Sequence, residues 1–208
     1  MRGRRKRIAI LCEGFEEKPF LEKILSFPCI NRSLYELGPI VNAKGNGSLF
    51  PKFQDMYGKN LYDLILIFCD ADKGSGPFLS LYDKLDDGLF GGKRIAERII
   101  IFVNPVTLQV VLSNFGKVAL THVSKRKNQE AVEALTGIKN YDATEEQIAE
   151  MMRRINTRTY AVMKENLQSV STDKTKVPST NLLQFLERLE SDDDSWVDEI
   201  IAAMDEGK

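Results

Sequence analysis

Apolar residues are distributed along this chain in two regimes. In the first, Ile8 to Cys12, Leu64 to Cys69 and Arg98 to Val103 are short, nearly continuous apolar runs. They are too short for globular helices. Ile8 to Cys12 reads as a buried strand, Leu64 to Cys69 is too continuous for a strand with one wet face and predicts one buried on both faces, and Arg98 to Val103 predicts a further strand. Gly38 to Lys44 is a weaker strand segment. Between the runs the period changes. Glu16 to Ser26 aligns Phe20, Leu21, Ile24 and Leu25 on one helical stripe, Ser48 to Tyr57 predicts a short helix despite Pro51, and Pro77 to Asp86 places Phe78, Leu81, Tyr82 and Leu85 on an inner face. Pro19 fits the first turn of its helix, where a missing N–H is no loss. Val106 to Phe115 carries almost no charge and is expected to lie against the sheet. Strands that alternate with helices from residue 8 to about residue 116 predict parallel βαβ units.

The second regime begins at Lys125, where the chain becomes charged and helical. Asn128 to Leu135, Thr144 to Asn156, Thr159 to Val170, Asn181 to Leu189 and Trp196 to Met204 are the predicted helices. Thr144 with Gln147 and Ser195 with Asp198 have capping-box spacing, and Ser171 to Thr180 reads as a polar loop. The expected organisation is a three-layer α/β domain over residues 1–124, followed by a helical extension over 125–208 that packs on it.

Composition narrows the class. A chain of 208 residues, 43% hydrophobic and 28% charged, is that of an ordinary globular protein with one full core. A formal net charge of −1 argues against wholesale coating of nucleic acid, although two basic clusters exist, Arg2 to Arg7 and Lys125 to Lys127. Cys12, Cys29 and Cys69 have no zinc or disulfide spacing and read as reduced thiols, with Cys12 and Cys69 filling sheet interior. No apolar run approaches the roughly 18 residues of a membrane span. A cytoplasmic, unanchored protein is expected. His122, the only histidine, is assigned no role.

The candidate chemistry lies where predicted strands end. Asp70 and Asp72 follow one apolar run, and Glu13 and Glu17 follow another. Each acid alone reads as a solvated turn former or a favourable charge in a first helical turn. If the two strands are neighbours in a parallel sheet, four carboxylates converge at one edge, and a cation or protons must neutralise them. Extended alternation would aim Asp70 and Asp72 to the same side. Hard oxygen donors without histidine favour Mg²⁺ or Mn²⁺, and an open magnesium site commonly completes its shell with substrate phosphate. Gly45-Asn46-Gly47-Ser48 is a loop able to present backbone N–H groups. Lys44 and Lys73 are candidate contacts to substrate phosphate.

These residues resemble a known superfamily. Glu13-Gly14 closing one strand and Asp70-x-Asp72 closing a later one resemble the Toprim pattern of topoisomerases, primases, ribonuclease M5 maturases and the overcoming-lysogenization-defect (OLD) nucleases. Cys12-Glu13-Gly14 with Glu17-x-Pro19, Asn104-Pro105 before an apolar helix ending in Asn114-Phe115, and Pro178-Ser179-Thr180-Asn181 are similar to the narrower RloB-like group, found beside restriction and abortive-infection genes. The resemblance implies a Toprim-like parallel sheet sandwiched by helices. It implies Glu13 as general acid/base, with Asp70, Asp72 and Glu17 as metal ligands. It further implies a Mg²⁺- or Mn²⁺-dependent nuclease acting on DNA or RNA in phage defence or on a mobile element, with a partner ATPase or restriction protein. One departure stands out: RloB-like proteins commonly carry a glutamate shortly after Asn-Pro, where this chain has Val106-Thr107-Leu108-Gln109. The alternative expectation is therefore a decayed site on a nucleic-acid- or partner-binding module, with small-molecule phosphohydrolysis third.

Overall fold

The computed structural model describes residues 4–72, 76–121 and 124–206. The apolar runs form the strands β1 (Lys6–Cys12), β2 (Tyr35–Asn42), β3 (Leu64–Asp70) and β4 (Ile100–Asn104). They pair in parallel in the spatial order β2-β1-β3-β4. β3 and β4 are buried almost throughout, as continuous apolar composition requires. β2 is an edge strand and is less regular. Ile8 pairs with Leu37 and Ile10 with Ile40, so Gly38 and Pro39 together face Ala9 in a bulge that accommodates the proline.

The crossovers are helical. α1 (Glu17–Leu25) joins β1 to β2, α2 (Leu49–Gly58) joins β2 to β3, and α3 (Gly76–Asp86) with the single turn α4 (Ala96–Ile99) joins β3 to β4. The first crossover steps outward to β2, and the next two step the opposite way. Right-handed connections then place α1 on one face of the sheet and α2 and α3 on the other. Aromatic contacts agree: Phe53 and Tyr57 of α2 meet Phe90, just beyond α3, with centroids 6.3 and 5.7 Å apart. Among the described residues the architecture is thus α/β, with a mostly parallel sheet between helices.

After α5 (Leu108–Leu112), a shorter helix than the apolar pattern predicts, the chain forms α6 (Lys125–Thr136), α7 (Glu145–Arg154) and α8 (Thr157–Leu167). α7 is capped as expected, with the Thr144 hydroxyl accepting from the Gln147 N–H. α7 lies against α1, and the Tyr160 ring of α8 packs on Phe27 with centroids 5.1 Å apart.

Two expectations are corrected. The segment 171–180, read as a loop, ends in a short strand, β5 (Ser179–Thr180), which pairs antiparallel with β4. Two residues are too few to leave a periodic signal, and the strand exists because β4 offers an open edge. Asn181 then imitates one more strand residue, accepting from the Phe102 N–H at 2.9 Å and donating to the Ile100 carbonyl at 2.8 Å. α9 (Leu182–Glu190) and α10 (Ser195–Asp205) follow. Ser195 is the first residue of α10 and not its cap; its N–H and hydroxyl both donate to the Asp193 carboxylate, each at 2.9 Å.

The described part of the N-terminal basic cluster, Arg4 to Arg7, lies at the opposite end of the sheet from the acids. Arg4 pairs with Asp63 at 2.6 Å and Lys6 with Asp198 at 2.5 Å. No helix of the described residues is long and apolar enough to cross a membrane. The three cysteines are free, Cys12 and Cys69 buried and Cys29 exposed.

Candidate metal centre

β1 and β3 are immediate neighbours, with Cys12 opposite Phe68. Glu13 therefore leaves the sheet beside the end of β3, and its N–H extends the ladder by donating to the Phe68 carbonyl at 3.2 Å. Its carboxylate folds back across the strand ends, where Glu13 Oε2 accepts from the Asp70 N–H at 3.3 Å. The Asn46 N–H, from the glycine-bearing loop after β2, also donates to it. That loop is pinned to the same turn, since the Gly45 N–H donates to the Glu13 carbonyl at 2.8 Å.

Glu17 enters from the first turn of α1. It is only 7% exposed, and its Oε2 is buried with no hydrogen-bond partner. Gly14 makes the room. A Cβ there would stand 2.9 Å from Glu17 Oε2, so glycine lets the side chain fold back under the turn. Asp70 closes β3 and accepts from the Thr107 hydroxyl at 2.7 Å on Oδ1. The same hydroxyl lies within hydrogen-bonding range of Glu17. One hydroxyl proton cannot serve both carboxylates, which agrees with the unpaired Glu17 oxygen.

Asp72 is placed differently from the alternation argument. The extended backbone ends at Asp70, Ala71 is buried, and Asp72 takes a left-handed conformation with φ 42°, donating its N–H to the Pro105 carbonyl at 3.1 Å. It stands exposed at the rim. Its charge still reaches Glu13, Glu17 and Asp70.

The electrostatic consequence is uniform in sign. Burial, then the neighbouring carboxylates, raise Glu13 to about 7, since its two backbone donors offset only part of the cost. Asp70 and Glu17 are likewise pushed up, chiefly by burial and then by mutual repulsion, and Asp72, though exposed as a residue, is shifted the same way by partial desolvation of its carboxyl group.

A cleft of about 310 Å³ opens onto Asp70 and is walled in part by the C-terminal half, through Lys125, Asn128 and Tyr141. The Tyr141 hydroxyl donates to Glu16 Oε1 at 2.6 Å, and burial raises Glu16 to about 7. Asn128 Oδ1 is buried and unpaired. Thr107, Glu16, Asn128 and Tyr141 were not assigned to the site by sequence reasoning, whereas the Asn46 loop was read as a source of backbone N–H groups and here supplies one to Glu13. The basic run at Lys125 was visible as well, but it carried no address. Lys44 is exposed beside this edge in a left-handed conformation, φ 64°. Lys73, Gly74 and His122 lie outside the described residues.

The donor set fits a hard divalent cation: carboxylates alone, mutually repelling, with one buried oxygen unpaired. Among the described residues no three His, Cys, Asp or Glu side chains already surround one point as a finished shell. A bound cation would offset the mutual repulsion that raises these carboxyl groups.

Compared with protein-family models, curated proteins and solved structures, the chain matches none. Its functional reading therefore rests on its own residues and on the motif resemblance.

Proposed function

We propose that this chain is a nuclease that hydrolyses a phosphodiester bond of DNA or RNA in a reaction dependent on Mg²⁺ or Mn²⁺. The observation that carries the reading is the convergence of Glu13, Glu17 and Asp70 at the shared carboxyl edge of β1 and β3, with one Glu17 oxygen buried and unpaired. Glu17, Asp70 and Asp72 are the residues that would hold the cation. When bound, it supplies positive charge for the phosphate and lowers the pKa of a coordinated water. Glu13, raised to about 7, has the proton affinity suited to moving a proton at the reacting oxygen near neutral pH. Its carboxylate is oriented for this by the Asp70 and Asn46 N–H groups. Thr107 fixes the rotamer of Asp70 through its hydroxyl.

The motif resemblance supports the same reading and extends it to a Toprim-like, RloB-like protein of phage defence or a mobile element, working with a partner ATPase or restriction protein. The test is cleavage of plasmid and single-stranded nucleic acid in Mg²⁺ or Mn²⁺. Glu13→Gln and Asp70→Asn are each expected to lower the rate by at least about 100-fold. Equal cleavage by wild type and both variants refutes the mechanism.

A binding module without hydrolysis is the second reading, and Gln109 favours it. Where RloB-like proteins carry a glutamate, this chain has Thr107 on Asp70 and a buried Gln109 whose amide bonds the Val118 carbonyl at 2.8 Å and the Leu120 N–H at 2.7 Å. The centre thus has one carboxylate fewer. Such a module binds nucleic acid equally well in EDTA and tolerates Asp72→Asn.

A further inference from the structure

The exposed large apolar side chains among the described residues are Phe15 at 70%, Leu61 at 53% and Leu79 at 47%. A lone exposed apolar residue needs no explanation. Leu61 sits just before β3, at the end of the sheet away from the acids, and Leu79 belongs to α3. Phe15 differs from both in its position. It occupies the turn between β1 and α1, flanked on each side by residues of the carboxylate centre.

The other side chains of that turn are committed. Glu13 lies across the strand ends on the Asp70 N–H, Glu16 accepts from Tyr141, and Glu17 is buried behind Gly14. Only the Phe15 ring is turned to solvent. Its exposure leaves an open aromatic surface beside the residues proposed to act on phosphate.

Charge at this edge points the same way. Arg4, Arg5 and Lys6 are engaged at the opposite end of the sheet, with Asp63, Glu36 and Asp198. At the cleft, Lys125 is paired with Asp142 at 2.6 Å. Among the described residues Lys44 is exposed beside this edge, but a polyanion arriving here still meets a cluster of acids, which repels it unless a cation is bound. Affinity must come in part from contacts that do not depend on charge. Stacking of a base on an aromatic ring is such a contact, and it tolerates any sequence because every base has a π face.

We propose that Phe15 is a stacking platform for an unpaired nucleobase next to the phosphate being attacked, and that the substrate is a single-stranded nucleic acid or a single-stranded segment. The proposal rests on the nuclease reading above. A base inside a duplex already has both faces stacked and cannot reach the ring without being extruded. The ring therefore selects strand state and not sequence.

The test is fluorescence anisotropy with a labelled mixed-sequence single strand, DNA in one arm and RNA in another, beside the same sequence as a duplex. Ca²⁺ replaces Mg²⁺, being a hard cation that also takes oxygen ligands. Phe15→Ala is expected to weaken single-strand binding by about tenfold and duplex binding by less than about twofold. Phe15→Trp is expected to keep single-strand affinity, with indole emission quenched on binding; the native Trp196 is 9% exposed and contributes a constant background.

The proposal is overturned if Phe15→Ala binds the single strand as wild type does. It is equally overturned if single strand and duplex are weakened alike, or if wild type binds no single strand. Failure of the nuclease reading looks different: the Phe15→Ala effect on binding persists while Glu13→Gln leaves cleavage in Mn²⁺ unchanged.

Discussion

At the scale of single residues, the centre depends on one missing methyl group. Gly14 is needed for what its Cβ would touch, because that atom would lie 2.9 Å from Glu17 Oε2, the far end of a flexible side chain. Gly14→Ala can be relieved by swinging the Glu17 carboxylate away, so the fold should survive while a metal ligand is displaced. The expected outcome is a melting temperature within about 4 °C of wild type, together with a fall of about tenfold or more in Mn²⁺-dependent cleavage. Thermal denaturation and cleavage measured on the same preparation check it. A variant that cleaves at the wild-type rate would remove Glu17 from the ligand set. Cys12 and Cys69, which directly precede Glu13 and Asp70, are buried fillers whose thiols are held above their ordinary pKa by burial, Cys12 at about 12. That suits packing and not thiolate chemistry.

At the scale of elements, the motif Pro178-Ser179-Thr180-Asn181 acts as a clasp on β4. Thr180 and Ser179 pair with Val103 and Asn104, the Thr180 hydroxyl donates to the Phe102 carbonyl at 2.6 Å, and Asn181 bonds Phe102 and Ile100. The clasp covers an edge whose backbone groups would otherwise be unpaired. It also fixes the strand that leads to Pro105, whose carbonyl holds the Asp72 N–H. Asn181→Ala removes two hydrogen bonds from part-buried backbone and is expected to cost about 1–3 kcal/mol. Chemical denaturation should show the loss as a lower midpoint with an unchanged slope. An unaltered midpoint would mean that water satisfies this edge equally well.

At the scale of the whole molecule, function and stability oppose each other through charge. Glu13 and Glu16 are raised to about 7, and Glu17, Asp70 and Asp72 are also shifted upward, whereas unfolded aspartate and glutamate titrate at about 3.9 and about 4.3. A carboxyl group whose folded pKa is raised binds its proton more tightly in the native state. Its stabilising contribution is complete below the unfolded value and is lost as the pH rises through about 7. The metal-free protein should therefore melt higher at pH 5.5 than at pH 8. Mn²⁺ or Mg²⁺ at pH 8 should recover several degrees, because a cation that binds only the native state stabilises it by mass action. Glu17→Gln should flatten the pH dependence. A scan in EDTA over that range, with and without added cation, checks all three, and a flat profile would mean that the carboxylates do not repel one another in solution.

The local pattern by itself determined the elements and where acids leave the strands. Continuous apolar runs can be buried only in a sheet covered on both faces, and the helical stripes between them leave parallel pairing as the way to connect them. Glu13, Glu17, Asp70 and Asp72 were legible because each follows such a run directly. Tertiary structure decided what those acids meet. The adjacency of β1 and β3 is a choice among strand orders that no local signal encodes. Thr107, Asn128 and Tyr141 reach the centre from sequence positions far from Glu13, and β5 forms only because β4 offers an open edge. Asp72 left the common face expected of it because its N–H found the Pro105 carbonyl and turned the backbone left-handed. Periodicity reports what a residue faces within its own element; contacts between distant segments are set by packing, and those contacts shape the candidate site.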